Sequence, residues 1–402
     1  MFTLAAVFAP KLAAAMAATA VLALAASSAS ARVPQGFVGM NGDLSLFDSH
    51  VDLAHQLDRM VASGVQTVRL PFDWSAAQPY EHMSDVPPDQ VSQFQDVGGV
   101  PTRFGVTDKI VALTAARRLA LLPVVIYAPQ WDAEHPNDLA SPPSSAAPYG
   151  AFLKALVGRY GPHGTFWSSN PSLEPMPITA WQVWNEPNLP DHWSDQPGIR
   201  STASVPAYVR LLRAAHDALK AADPRATVVL AGLPDYSWEY LAAIYKVRGA
   251  RGLFDEVAIH PYTGTASGVI ELLGRARGVM NKAGDRRKPI LASEIGWPSS
   301  QGEPGQTPPQ ISFGTTQEGQ AKRLARLLSL IDRSRRSLVL AGFDYYTWMG
   351  FEPGSIAFDY AGLSRLTKGR VYAKPALATF TRGALSLEGC RAKGHVATAC
   401  LA

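Results

Sequence analysis

Two glutamates in this chain of 402 residues each lie at the end of a run of strand-forming residues. Glu186 lies in WQVWNEPNLPDHW (181 to 193), and Glu294 ends PILASE (289 to 294). Capping of a following helix would explain Glu186, and a structural ion pair would explain Glu294. Two carboxylates that face each other could instead divide acid/base and nucleophilic roles, because different surroundings separate their pKa values. Whether these residues do chemistry depends on whether the fold brings the two strand ends together.

Apolar, strand-like runs alternate with amphipathic helical patterns from residue 36 onward, which is typical of parallel strands joined by crossover helices. Between the runs, apolar residues three and four positions apart predict helices within 51–64, 107–120, 148–161, 206–224, 269–284 and 316–334. Eight strands over about 350 residues predict an α/β fold, a closed (β/α)8 TIM barrel with insertions. The predicted strands are 37–41, 66–70, 121–128, 179–185, 226–232, 256–262, 289–294 and 338–348.

The lengths of the connections between strands and helices predict which face of the barrel carries the site. Most helix-to-strand connections are short, with a long exception at 160–177. The strand-to-helix connections are long and rich in aromatic, Pro and Gly residues at 71–106, 129–147, 186–204 and 295–315. Barrel active sites are built from the loops that follow the strands. The predicted site therefore lies at the C-terminal face, where the strands that carry Glu186 and Glu294 converge around one axis.

Two carboxylates at a barrel mouth with aromatic residues around them favour hydrolysis of a glycosidic bond. One carboxyl must be protonated to assist the leaving oxygen. The other must be ionised to attack or stabilise the anomeric carbon.

Three motifs carry a resemblance to a known group of enzymes. WNEPN (184 to 188), SEIGW around Glu294 and RLPFDW (69 to 74) resemble glycoside hydrolase clan A, the retaining (β/α)8 glycosidases. The similarity spans all eight predicted strands. With RYG, FW and NP ahead of the fourth strand, it is closest to the family 39-like branch, followed by family 5 cellulase-like enzymes.

The resemblance implies a role for each matching position. Glu186 would be the general acid/base and Glu294 the nucleophile. Asn185 would bind the sugar 2-hydroxyl. Arg69, whose positive charge favours an ionised Glu294, would lie beneath that carboxylate, although a purely structural ion pair is the alternative. Tyr262 would donate its hydroxyl to Glu294.

Several further residues are weaker substrate-binding candidates. By the same resemblance, Trp348 would form the apolar floor on which a sugar ring stacks. For Trp348 and for Trp131, which ends the third predicted strand, burial in the core is the alternative, because large aromatic residues are usually buried. Trp74 could line the cleft or order a long loop. His260, near the end of the sixth strand, is expected to hold a hydrogen bond rather than perform chemistry.

The ends of the chain differ from its middle. Residues 1 to 31 contain one charge, Lys11, then a short apolar run and the small residues Ala29-Ser30-Ala31, which predict a cleaved signal peptide and a secreted or periplasmic protein. An uncleaved membrane anchor is the alternative, but the run is shorter than a spanning helix needs. Residues 32 to 385 are predicted to form the barrel domain. Residues 386 to 402 form a tail, with Cys390 and Cys400 expected to pair as a disulfide.

The amino-acid composition limits which classes of binding partner are expected. Without residues 1 to 31, 36 basic residues face 33 acidic ones, a balance that gives no indication of nucleic-acid binding. We expect a carbohydrate substrate, no membrane anchor once the signal is removed, a monomer and no cofactor.

Three other functions are compatible with a barrel. A metal-dependent hydrolase needs clustered His and carboxylate ligands, but the nine His are scattered in sequence and no metal is expected. A carbohydrate-binding protein without turnover would require distorted geometry, and a transglycosylase would use the same two glutamates.

Overall fold

Eight parallel strands form the centre of the computed structural model, which describes residues 33–302, 311–398 and 400–401. The strands are β1 (Val38–Asn41), β2 (Thr67–Asp73), β3 (Ala120–Ile126), β4 (Ala180–Val183), β5 (Thr227–Val229), β6 (Val257–Ile259), β7 (Ile290–Ile295) and β8 (Leu340–Tyr345). In sheet order they run β5-β4-β3-β2-β1-β8-β7-β6, and a parallel bridge between Val229 and Glu256 joins β5 to β6. The predicted (β/α)8 barrel and all eight of its strands are confirmed.

In the part of the chain that the structure describes, a helix of 10 or more residues follows each of the eight strands. The sequence patterns identified six of these helices and missed α5 and α8. They are α1 (Leu53–Ala62), α2 (Gly105–Ala115), α3 (Ala146–Tyr160), α4 (Val205–Ala222), α5 (Ser237–Lys246), α6 (Ala266–Lys282), α7 (Gln317–Leu338) and α8 (Pro375–Glu388).

Polar side chains mark where several helices begin. Asp52 caps α1 by accepting from the His55 amide, and Thr265 caps α6 by accepting from the Gly268 amide. Such caps satisfy backbone donors that have no partner within the helix. Because these helix starts follow the strands, the capped ends lie on the side of the barrel where the strand ends emerge.

The barrel interior has an apolar layer and a polar layer. Leu122, Val229, Ala258 and Leu291 pack together as a buried cluster. A polar layer includes Asn41 on β1 and Arg69 on β2, which are paired in register. In this register the polar side chains lie toward the mouth of the barrel, and the apolar cluster is buried below them.

Short elements elaborate the two faces. A hairpin (Gln95–Val97 with Val100–Thr102) lies in the loop after β2, and a single-turn helix (Thr165–Ser169) lies in the long connection before β4. After β8, Met349–Phe351, Ser364–Thr367 and Arg370–Ala373 form a three-stranded sheet. In the described part of the chain, no helix is long and apolar enough to cross a membrane.

The C-terminal tail packs against the barrel. Helix α8 continues through the predicted boundary at 385 to Glu388, whose buried carboxylate pairs with Lys393. The described residues from Pro34 onward form one compact unit. The predicted signal peptide and the Cys400 side chain lie outside the described residues, so the cleavage and the disulfide stay predictions.

Candidate active site

Arg69 is the hub of the polar layer. Its Nη1 donates to Glu294 Oε1 and to Asn41 Oδ1, its Nε to Gln182 Oε1 and its Nη2 to Asn185 Oδ1, each at 2.7 Å. Because the guanidinium is planar and always charged, these bonds hold a fixed positive charge against Glu294. Arg69 is therefore in direct contact with Glu294, as predicted.

Two buried amides orient Arg69, and sequence reasoning missed both. Asn41 donates through Nδ2 to the Ser293 carbonyl, and Gln182 donates through Nε2 to the Leu230 carbonyl. Each side chain thereby turns its amide oxygen toward the guanidinium. The available signal was an amide inside an otherwise apolar strand, since a buried amide requires partners.

Glu294, at the C-terminal end of β7, is 8% exposed. Besides the Arg69 bond, its Oε2 accepts from the Tyr262 hydroxyl at 2.7 Å. The carboxylate therefore accepts one hydrogen bond from a cation and one from a hydroxyl group. Burial, Glu294 and Tyr346 in turn raise the pKa of Tyr262 well above its usual value, so this phenol keeps its proton to donate.

Glu186 follows β4 and is 7% exposed. Its Oε1 lies 2.6 Å from His260 Nδ1, and its Oε2 lies 3.3 Å from His192 Nδ1. The backbone at Glu186 has a φ of 47°, and that at Trp184 a φ of 67°. Left-handed backbone is uncommon for such residues and is concentrated at functional sites.

The two carboxylates have different electrostatic surroundings. Burial raises the pKa of Glu186, opposed by His192 and Arg69 and assisted by Asp191. Glu186 is thus suited to carry a proton, whereas Glu294 bonds a fixed cation. The predicted chemistry needs one protonated and one ionised carboxyl group near each other.

The two carboxylates face each other across a short gap. One oxygen of Glu186, one oxygen of Glu294 and one ring nitrogen of His260 all lie within 4.8 Å of one another. This trio is the one group in the described part of the chain with metal-ligand spacing. The Glu294 oxygens, however, already accept hydrogen bonds from Arg69 and Tyr262, so a metal would have to compete with both.

Asn185 lies beside Glu186 and is partly exposed. Its amide oxygen accepts from Arg69 at 2.7 Å. The amide NH2 group is therefore the part of this side chain that can donate to a bound ligand.

Four aromatic rings form a wall next to Glu294. Tyr262 stacks on Phe313 with ring centroids 5.5 Å apart, and Phe358 meets Tyr262 edge-on at 5.2 Å. Tyr346 completes the wall, 5.8 Å from Phe358, and donates its hydroxyl to Asp43 at 2.6 Å. The wall comes from the loops after β6, β7 and β8, which is why sequence reasoning found only Tyr262.

Two predicted tryptophans do not line the cleft. Trp348 is fully buried, donates to Gln56 Oε1 at 3.0 Å and lies against Arg59 of α1. Tyr346, two residues earlier and partly exposed, is the aromatic residue from β8 that reaches the wall. The assignment of Trp348 as a stacking floor is wrong, because the chain after β8 turns this ring into the core.

Trp74 is likewise a core residue. It is fully buried, donates to Gln78 Oε1 at 2.7 Å and packs 5.4 Å from Tyr149. The prediction that it lines the cleft is wrong for the same reason, since ring burial excludes stacking on a ligand. Trp131 is partly exposed and donates to the Gln78 carbonyl at 2.8 Å, so its role in binding stays a prediction.

No known family model matches the chain, and no curated protein matches it in sequence. The fold, however, is shared with solved glycosidase structures. A family 39 glycoside hydrolase from Bacteroides cellulosilyticus WH2 aligns with a TM-score of 0.61 at 16% identity, over 89% of this chain and 65% of that one. A glucosidase from Croceicoccus marinus aligns with a TM-score of 0.57 at 14% identity, over 88% of this chain and 68% of that one.

An endo-1,4-beta-mannanase from Rhizomucor miehei also shares the fold, with a TM-score of 0.54 at 14% identity, over 89% of this chain and 96% of that one. These likenesses agree with the predicted barrel fold.

Proposed function

We propose that this protein is a retaining O-glycoside hydrolase that cleaves β-glycosidic bonds in an oligo- or polysaccharide by double displacement. The observation that carries the proposal is the placement of Glu186 after β4 and of Glu294 at the end of β7, with one carboxylate oxygen of each within 4.8 Å of the other and with different electrostatic surroundings. Structural neighbours whose names say glycoside hydrolase, glucosidase and mannanase support a carbohydrate substrate.

In the first step the Glu294 carboxylate attacks the anomeric carbon as the bond to the leaving oxygen breaks. Glu186 gives its proton to that oxygen, leaving a glycosyl ester on Glu294. In the second step water attacks the anomeric carbon, Glu186 accepts a water proton and the ester bond breaks. Arg69 and Tyr262 stabilise the Glu294 carboxylate before attack and again as it departs.

The gap between the carboxylates supports retention. Retaining enzymes hold their two carboxyl groups about 5 to 5.5 Å apart, whereas inverting enzymes need roughly 6.5 to 9.5 Å to admit water between sugar and base. One oxygen of each carboxylate lies within 4.8 Å of the other, which is closer to the retaining distance than to the inverting one.

Hydrolysis of aryl glycosides and polysaccharides by the purified protein tests the proposal, with the anomer formed first identified by NMR. Glu294→Ala should abolish turnover, and azide should partly restore it by attacking the anomeric carbon in place of the carboxylate. Glu134→Gln, an exposed acid in the loop after β3, is the matched control and should leave turnover unchanged. An inverted product, or a Glu294→Ala variant with full activity, would refute the retaining mechanism.

We also propose that the protein is exported. The support is the single charge, the apolar run and the Ala29-Ser30-Ala31 site near the N-terminus. The intact mass of the protein recovered from the periplasm or medium should be that of a chain that begins at Arg32. Recovery of the full-length chain in the membrane fraction would favour an uncleaved anchor.

A further inference from the structure

His260 lies between the two carboxylates and faces each of them with a different ring nitrogen. Its Nδ1 is 2.6 Å from Glu186 Oε1, and its Nε2 is 3.5 Å from Glu294 Oε1. The side chain is fully buried. Nε2 has no hydrogen-bond partner among the described residues, although the carboxylate that Arg69 and Tyr262 hold lies 3.5 Å away.

The fold makes room for this ring at one position. A Cβ at Gly232, in the loop after β5, would lie 1.9 Å from His260 Nε2. Any side chain larger than hydrogen at 232 would therefore push the imidazole away from the carboxylates. The position of the His260 ring therefore requires glycine at position 232.

A neutral imidazole carries one proton, so only one of its nitrogens can donate. Burial lowers the pKa of His260 to about 3, with Arg69 and His192 acting in the same direction and Glu294 against it. The ring is therefore neutral at ordinary pH. If the proton were on Nδ1, the Nε2 lone pair would face the Glu294 carboxylate, which is repulsive.

If the proton is on Nε2, both contacts are favourable. The partial positive charge of the N–H then lies 3.5 Å from the Glu294 oxygen, and Nδ1 accepts a hydrogen bond that only a protonated Glu186 can donate across 2.6 Å. We propose that His260 is a positioning residue that keeps its proton on Nε2 and thereby holds the proton on Glu186 in the resting enzyme. The inference deepens the proposed function and rests on it for its catalytic meaning.

The arrangement couples the states of the two carboxylates. With Glu294 ionised, the proton on Nε2 is favoured, Nδ1 is an acceptor and Glu186 is the acid that the first step requires. Once Glu294 becomes a neutral ester, the electrostatic reason for a proton on Nε2 is gone. The bond from Glu186 is then no longer reinforced at the stage when Glu186 must act as a base.

The pH profile of kcat/KM distinguishes the two tautomers. Other groups that act on Glu186 are His192 and Asp191 in its own loop and Arg69 on β2. Asp235, after β5, is in turn affected by Glu186. Replacing His260 by leucine removes an acceptor from the protonated acid. The alkaline limb should therefore move to lower pH by about one unit, since one hydrogen bond to an ionisable group is worth about that much.

Gly232→Ala should move the alkaline limb in the same direction, because it displaces the ring without touching either carboxylate. His192→Gln is the matched control, since His192 lowers the pKa of Glu186. Its removal should move the limb to higher pH. If H260L or G232A moves the limb upward or leaves it in place, the proposal fails, because a proton on Nδ1 would stabilise the ionised carboxylate instead.

The tautomer can also be observed directly and without turnover. In protein labelled with ¹⁵N at histidine, with G232A and H260L used to assign the signals, His260 should have a protonated Nε2 and an unprotonated Nδ1 at neutral pH. A protonated Nδ1 would overturn the proposal. This readout is independent of substrate, so a chain that proves inactive on every glycoside would refute the proposed function and still report the position of this proton.

Discussion

The guanidinium of Arg69 lies 2.7 Å from the Glu294 carboxylate and is held there by three amide side chains. The pair is almost wholly buried, with side-chain exposures of 6% and 10%. A buried ion pair is costly unless its remaining donors are satisfied. Here four hydrogen bonds use the guanidinium fork, so the charge beneath Glu294 has one position.

Arg69→Lys should lower kcat/KM by roughly 30- to 1,000-fold, equivalent to about 2 to 4 kcal/mol of transition-state stabilisation. A lysine ammonium has three donors on a flexible chain and cannot reach four partners in a plane. Steady-state kinetics on an aryl glycoside would measure the loss. Circular dichroism should show the fold retained, and a variant with native kcat/KM would mean that charge alone is sufficient.

Trp348→Leu should mainly lower stability, whereas Tyr346→Leu should mainly lower activity. The first removes a fully buried ring and its bond to Gln56, so we expect a loss of about 2 to 4 kcal/mol in the free energy of unfolding with little change in KM. The second removes a partly exposed ring from the wall beside Glu294. It should lower kcat/KM about tenfold or more with a smaller loss of stability.

Urea unfolding and steady-state kinetics on both variants separate these effects. A large KM increase in Trp348→Leu, with stability unchanged, would restore Trp348 as a substrate-stacking residue.

Asp344→Asn should flatten the pH dependence of stability. Burial raises the pKa of Asp344 to about 8, with Glu256 and Glu294 adding to burial and Arg69 opposing it. The folded state thus keeps a proton that the unfolded state loses near pH 4. Between these values native stability falls with rising pH, by about 1.4 kcal/mol per unit.

An asparagine has no proton to lose, so the stability of Asp344→Asn relative to the native protein should increase from pH 5 to pH 8. Urea titrations at several pH values measure that difference. A constant difference across this range would mean that Asp344 titrates normally in the folded protein.

Lys393→Ala should destabilise the barrel by about 3 to 5 kcal/mol, because it leaves the buried Glu388 carboxylate without its cation. Gln66 would still donate to Glu388 at 2.7 Å, which is a weaker compensation. The double variant Glu388→Gln with Lys393→Met should recover most of the loss. Thermal unfolding compares them, and equal melting temperatures for all three proteins would show that the tail contributes nothing to stability.

The alternation of apolar runs and helical patterns was enough to predict the barrel, because period-two and period-3.6 patterns are local properties of the chain. The positions of Glu186, Glu294 and Arg69 could be predicted as well, since residues at strand ends meet at one face of a barrel. Helix α5 was missed because its aromatic-rich sequence does not display a clear apolar stripe.

The residues that sequence reasoning assigned wrongly lie just beyond strand ends. Tyr346 and Trp348 are two positions apart, and the sequence contains no information on which ring the loop after β8 turns outward. The rings of Phe313 and Phe358 meet Tyr262 through contacts between separate loops. No spacing along the chain encodes those contacts.

The sequence by itself therefore determined the architecture, the face that carries the site and the two carboxylates, because these follow from periodicity and from where each strand ends. Only the tertiary structure decided how their protons are placed. Protonation depends on burial and on groups distant in sequence. The distances from His260 to Glu186 and Glu294, the space at Gly232 and the four-way binding of Arg69 exist only once the barrel has closed.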